Sequence, residues 1–108
     1  MARSADSETL KQIQRLASAP DLVMVTKTVE YDLMGHNLTK DDICNEIIQH
    51  INDGERVKPT VMRGRHAGQT AYEITPRIND QLFYIKVLLI ELEEPGEHML
   101  LISAHPSH

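Results

Sequence analysis

Apolar residues recur along this chain at two periods, and the change from one to the other divides it into halves. The first half has helical spacing. Leu10, Ile13, Leu16 and Ala17 fall on one face of a helix that Ser7 can cap, and Pro20 blocks its continuation. The short run LVMV after it predicts an edge strand or a packing segment. Positions 27–34 predict a second short helix closed by Gly35. Thr39 opens the clearest helix, with Asp42 placed for a capping-box variant. Its buried stripe is Ile43, Ile47, Ile48 and Ile51, with Cys44 beside it, and Gly54 marks its C-terminal cap region.

The second half has strand spacing. VKPTVM is short and holds Pro59, so it predicts an edge or bent strand. RGRHAG is a basic loop, QTAYEIT alternates as a strand does, and PRINDQ is a turn. LFYIKVLLIEL is the longest strand, EEPGE a hairpin turn through Pro95 and Gly96, and HMLLISAH the closing strand. Helices first and an antiparallel meander afterwards is an α+β order. The expected fold is N-terminal helices packed on an antiparallel sheet of about four strands, as one domain over 1–108.

The two C-terminal strands carry polar residues in phase. Side chains two apart on a strand share a face. Tyr84 and Lys86 therefore point one way, and Ser103 and His105 point one way on theirs. Phe83, Ile85, Val87 and Leu89 are expected on the core side of the first strand, and Leu100, Ile102 and Ala104 on that of the second. Paired as a hairpin, the strands can bring a phenol, an ammonium and an imidazole onto one surface. A sheet with one wet face produces the same alternation without any chemistry.

Composition narrows the classes. Of 108 residues, 41% are hydrophobic, too many for a disordered chain. No run of 18 apolar residues predicts a membrane span. The opening MARSADSETLKQ does not read as a signal peptide. A lone cysteine, Cys44, excludes an internal disulfide and fits a cytoplasmic protein; its place in a helical stripe makes it a small core residue rather than a nucleophile. The net charge of −5 argues against general nucleic-acid binding. The charge is uneven, however. Arg56, Lys58, Arg63, Arg65, Arg77 and Lys86 are opposed between them only by Glu73 and Asp80. Acids gather elsewhere, at Asp41, Asp42 and Glu46 and at Glu91, Glu93, Glu94 and Glu97, so one basic cleft remains compatible with an acidic protein.

From about Thr9 to His105 the chain resembles the MqsR toxins, RelE-like messenger-RNA interferases of bacterial toxin–antitoxin systems. The resemblance rests on LKQIQRLA, DDICNEII, YEITPRI, FYIKV and LLISAH, in that order. Small families of unknown function share a similar helix–sheet arrangement. The resemblance implies a RelE-like fold, endoribonuclease activity on messenger RNA with or without the ribosome, a cognate antitoxin as partner, and no cofactor. It marks Lys58 after the third helix, Gln69 three residues before Tyr72, and the Tyr84-x-Lys86 of the central strand. His105 stands where better-known members have a lysine, and the acidic balance also departs from such toxins.

The chemistry agrees with those marks. Metal-free RNA cleavage uses the substrate's 2′-hydroxyl as nucleophile. It needs a proton acceptor, charge stabilisation on the phosphorane, and a proton for the departing 5′-oxygen. Histidine titrates near ~6.5 and serves as acid or base, which makes His105 the candidate. Lys58 and Lys86 would hold charge. Tyr84 would orient the phosphate, or donate a proton if its pKa were lowered, and Gln69 would bind phosphate or a base edge. Arg63, Arg65, His66, Tyr72 and Arg77 form the expected RNA-binding set.

His98, His105 and His108 suggest a metal site, but His98 and His105 are an odd number of positions apart and face opposite sides of a regular strand. No cysteine or carboxylate completes the set at ligand spacing, and no metal is expected. A non-catalytic protein-binding module is the alternative function, with the acidic helix 39–53 as its partner surface.

Overall fold

A computed structural model of the chain describes residues 5–92 and 96–107. Three α-helices come first or nearly so: α1 (Ser7–Ala17), α2 (Lys27–Gly35) and α3 (Lys40–Asn52). The strands are β1 (Val23–Val25), β2 (Lys58–Val61), β3 (Thr70–Ile74), β4 (Arg77–Ile78), β5 (Gln81–Glu91) and β6 (Glu97–Pro106). No helix among the described residues is long and apolar enough to cross a membrane.

Local chemistry sets the helix ends. Asp6, not Ser7, caps α1: its carboxylate accepts the Thr9 N–H at 2.8 Å, and Ser7 is the first helical residue. Thr39 forms the expected capping box. Its hydroxyl accepts from the Asp42 N–H at 3.1 Å, and the Asp42 carboxylate accepts from the Thr39 N–H at 2.9 Å. Thr39→Ala removes one of these two bonds and is expected to cost about 1 kcal/mol. A urea denaturation midpoint equal to that of the parent chain would show the box to be idle.

Among the described residues the sheet has six strands rather than about four, in the order β1-β6-β5-β3-β2, with β4 paired to β5. Two short strands account for the difference. LVMV supplies β1, which lies parallel to β6, with Val23 opposite Met99. Its partner is far along the chain, so nothing local reveals the pairing. The expected turn PRINDQ contains β4, joined to β5 by the two-residue turn Asn79-Asp80. Both turn residues have positive φ, 50° and 65°, as a type I′ hairpin requires. β2 is an edge strand, which tolerates Pro59. The β5–β6 hairpin closes at Glu91 opposite Glu97; Pro95 of its expected turn lies outside the described residues, as do Glu93 and Glu94.

The helices cover one face of this sheet. Ile13, Leu16, Val29, Ile43 and Ile47 share a core with Ile74, Phe83, Ile85, Val87, Met99, Leu101 and Ala104. Cys44 is buried there as expected, and burial pushes its thiol up to about 11, which makes it a poor nucleophile. On β6 the expected core set of Leu100, Ile102 and Ala104 is corrected to Met99, Leu101 and Ala104. The cause is a β-bulge. Lys86 pairs with Ser103 but Val87 pairs with Leu101, so Ile102 is an extra residue that shifts the phase of the strand.

Candidate active site

The face without helices carries the alternate residues of the same strands. On β5 these are Tyr84, Lys86 and Leu88, and register places partners directly across from them. Tyr84 stands opposite His105 and Lys86 opposite Ser103 on one side. On the other side Lys86 faces Glu73, which in turn faces Lys58 on β2. Directly opposite residues are near neighbours, so a row Lys58–Glu73–Lys86–Ser103 crosses four strands, with Tyr84 and His105 in the adjoining row.

The contacts within this group are close. The Tyr84 and His105 rings have centroids 5.6 Å apart and planes inclined at 38°. The Lys86 ammonium lies 5.6 Å from the Tyr84 ring centroid, within cation–π range. His105 Nδ1 is 3.0 Å from the Pro106 carbonyl. A carbonyl only accepts, so Nδ1 carries the hydrogen and Nε2 is left to exchange protons with a substrate. Arg56, Lys58, Glu73 and Thr75 line a hollow of about 290 Å³ beside the row.

Tyr84 behaves differently from one sequence expectation. Its pKa is pushed up to about 12, first by burial and then by the charge of Glu73 and the hydrogen bond to it. A phenol of lowered pKa is therefore not what the site contains. At neutral pH Tyr84 stays protonated beside the Glu73 carboxylate.

Lys58, Tyr84, Lys86 and His105 thus meet, but Gln69 does not join them. It precedes β3, four positions from Glu73, about 13 Å along the chain direction. Arg63, Arg65 and His66 lie in the β2–β3 connection, around the 3-10 turn Gly64–His66, at the end of β2 remote from Lys58. Tyr72 is on the core side of β3 and packs against the apolar core. Arg77 lines a hollow beside α3 with Glu46, Asp53 and Glu55, and its guanidinium donates to the Asp80 carbonyl at 3.4 Å. The five residues expected to bind RNA do not converge on one surface.

In the sequence Glu73 is only a charge opposing the basic cluster. The alternation of TAYEI already puts it in phase with Ala71 and out of phase with Tyr72 and Ile74, which face the core. What the alternation lacks is the register that sets it between two lysines.

The bulge also revises the histidines. His98 pairs with Ile90 and His105 with Tyr84, so both lie on the open face rather than on opposite faces. Six residues separate Tyr84 from Ile90, about 20 Å along the strand, too far for a shared ion. His98 is 6% exposed, and its Nδ1 donates to the Gly96 carbonyl at 2.8 Å. His108 lies outside the described residues. No family model, curated protein or solved structure matches this chain.

Proposed function

We propose that this chain is a metal-independent endoribonuclease, the toxin of a toxin–antitoxin pair, that cleaves messenger RNA by attack of the 2′-hydroxyl. The observation that carries the reading is the meeting of Glu73, Lys86, Tyr84 and His105 on the sheet face turned away from the apolar core, with Lys58 beside them. The resemblance to MqsR toxins supports the same class of reaction and the expectation of a cognate antitoxin.

The roles follow from the chemistry. Glu73 takes the proton of the 2′-hydroxyl, and the Tyr84 hydroxyl holds that carboxylate in place. The 2′-oxygen bonds to phosphorus. Lys58 and Lys86 stabilise the extra charge on the phosphorane. The bond from phosphorus to the 5′-oxygen breaks, and His105 gives that oxygen a proton from Nε2. The products are a 2′,3′-cyclic phosphate and a free 5′-hydroxyl, with all protons accounted for.

The protein-binding alternative has one observation in its favour: Asp41 and Asp42 are exposed on the first turn of α3. One experiment separates the two readings. Purified, folded protein is incubated with messenger RNA in excess EDTA, with and without ribosomes. Fragments ending in cyclic phosphate are expected in at least one arm. Intact RNA in both arms would overturn the enzyme reading and leave the binding module.

A further inference from the structure

The β3–β5 ladder ends at Ala71 opposite Leu88, whereas the β5–β6 ladder runs on to Glu91 opposite Glu97. One edge of β5 from Leu89 to Glu91 therefore has no partner strand among the described residues. The chain that would extend β3 in that direction instead turns off the sheet through Gly64–His66. Between the turn and the strand edge lies a hollow of about 620 Å³. His66, Gln69 and Thr70 form one wall, and β5 from Leu88 to Leu92 forms the other.

The wall opposite β5 is preformed. The Met62 N–H donates to the Gln69 carbonyl at 2.7 Å, the Gly68 N–H to the Met62 carbonyl at 3.1 Å, and the Gln69 N–H to the His66 carbonyl at 3.1 Å. The loop thus satisfies its own backbone and stands off the strand edge rather than pairing with it. Gly68, at φ 87°, makes the reversal possible.

The chemistry of this notch fits a planar heterocycle with a hydrogen-bonding rim. A bare strand edge presents N–H and C=O groups in alternation. The Gln69 amide adds a donor and an acceptor, His66 supplies a ring that can stack, and Ile90 supplies apolar floor. Arg63 and Arg65 are exposed on the same loop, where they can meet phosphates. Strand addition by a peptide is the poorer fit, because the bare edge spans three residues.

We propose that this notch is a nucleobase subsite that reads one base of the RNA strand at a distance from the cleaved bond. The identification of the strand as the enzyme's substrate rests on the ribonuclease reading. The notch lies four positions along β5 from Lys86, on the order of 13 Å, so the base it reads is separated from the scissile phosphate rather than adjoining it. Gln69 then reads a base instead of binding the scissile phosphate.

Two measurements test this. In the first, the intact protein is titrated by NMR with AMP, CMP, GMP and UMP in turn. Shifts of the Gln69 side-chain amide and of the backbone amides of 89–92 are expected with at least one of them. Shifts confined to Lys58, Lys86 and His105, or none, would overturn the subsite without touching the cleavage reading. Shifts at the notch in a protein that leaves RNA intact would keep the subsite and overturn the ribonuclease. In the second, cleavage sites are mapped across a mixed RNA. Gln69→Ala is expected to reduce discrimination at one position offset from the cleaved bond by about tenfold or more. Glu73→Gln is expected to slow every site alike and leave the ratios unchanged. A Gln69→Ala site preference identical to that of the parent chain would overturn the assignment.

Discussion

His105→Ala is expected to slow RNA cleavage by about 10²–10⁴-fold, the usual worth of a positioned acid. The departing 5′-oxygen is a poor leaving group until it is protonated. Among the groups of the open-face cluster, His105 alone is an imidazole, its ring already aimed by a backbone carbonyl. Loss of the imidazole should also abolish the fall in rate at the alkaline side of the pH profile, where a general acid has lost its proton. The fold should persist, because His105 is outside the apolar core and the β6 ladder is made of backbone groups. Single-turnover rates measured across pH check both points, and added imidazole should restore part of the lost rate. A variant that cleaves at the parental rate would remove His105 from the mechanism. Tyr84 is badly placed to replace it, since a phenol pushed up to about 12 gives up its proton reluctantly.

Glu73→Gln is expected to cost a similar factor, about 10²–10⁴-fold, by removing the base that accepts the 2′-hydroxyl proton. The substitution keeps size and hydrogen-bonding capacity, so the Tyr84 hydroxyl retains a partner. The rise in rate on the acid side of the profile should disappear with the carboxylate. A second readout separates chemistry from structure. The negative charge of Glu73 disfavours the Tyr84 phenolate, so its loss should lower the Tyr84 pKa from about 12, while burial, the larger cause, keeps it above the ordinary tyrosine value. NMR resolves that titration from Tyr31 and Tyr72. A lowered Tyr84 pKa with an unchanged cleavage rate would make Glu73 a structural partner of Tyr84 and nothing more.

The geometry behind both expectations depends on a register that is easily lost. A one-residue slip between β5 and β6 would send His105 to the core side and leave Tyr84 facing an apolar residue. Ala104 and Ile85, paired and buried, oppose such a slip, because it would expose them and bury charge. The apolar side of the hairpin thus holds the polar side in alignment.

Neighbouring residues determine local periodicity, and that part of the protein was legible in the chain. The stripe of α3, the capping box at Thr39, the edge character of β2, and the shared faces of Tyr84 with Lys86 and of Ser103 with His105 all follow from spacing within one element. The tertiary structure alone decided which elements meet. It set Tyr84 against His105, slid Glu73 between Lys58 and Lys86, turned Tyr72 into the core, and left Gln69 beside a bare strand edge. It also added the bulge at Ile102, which brought His98 onto the open face, and paired β1 with a strand from the far end of the chain. Alternation says which face a side chain takes but is the same for every register. Register is chosen by the summed packing of residues distant in sequence, and no window along the chain contains that sum.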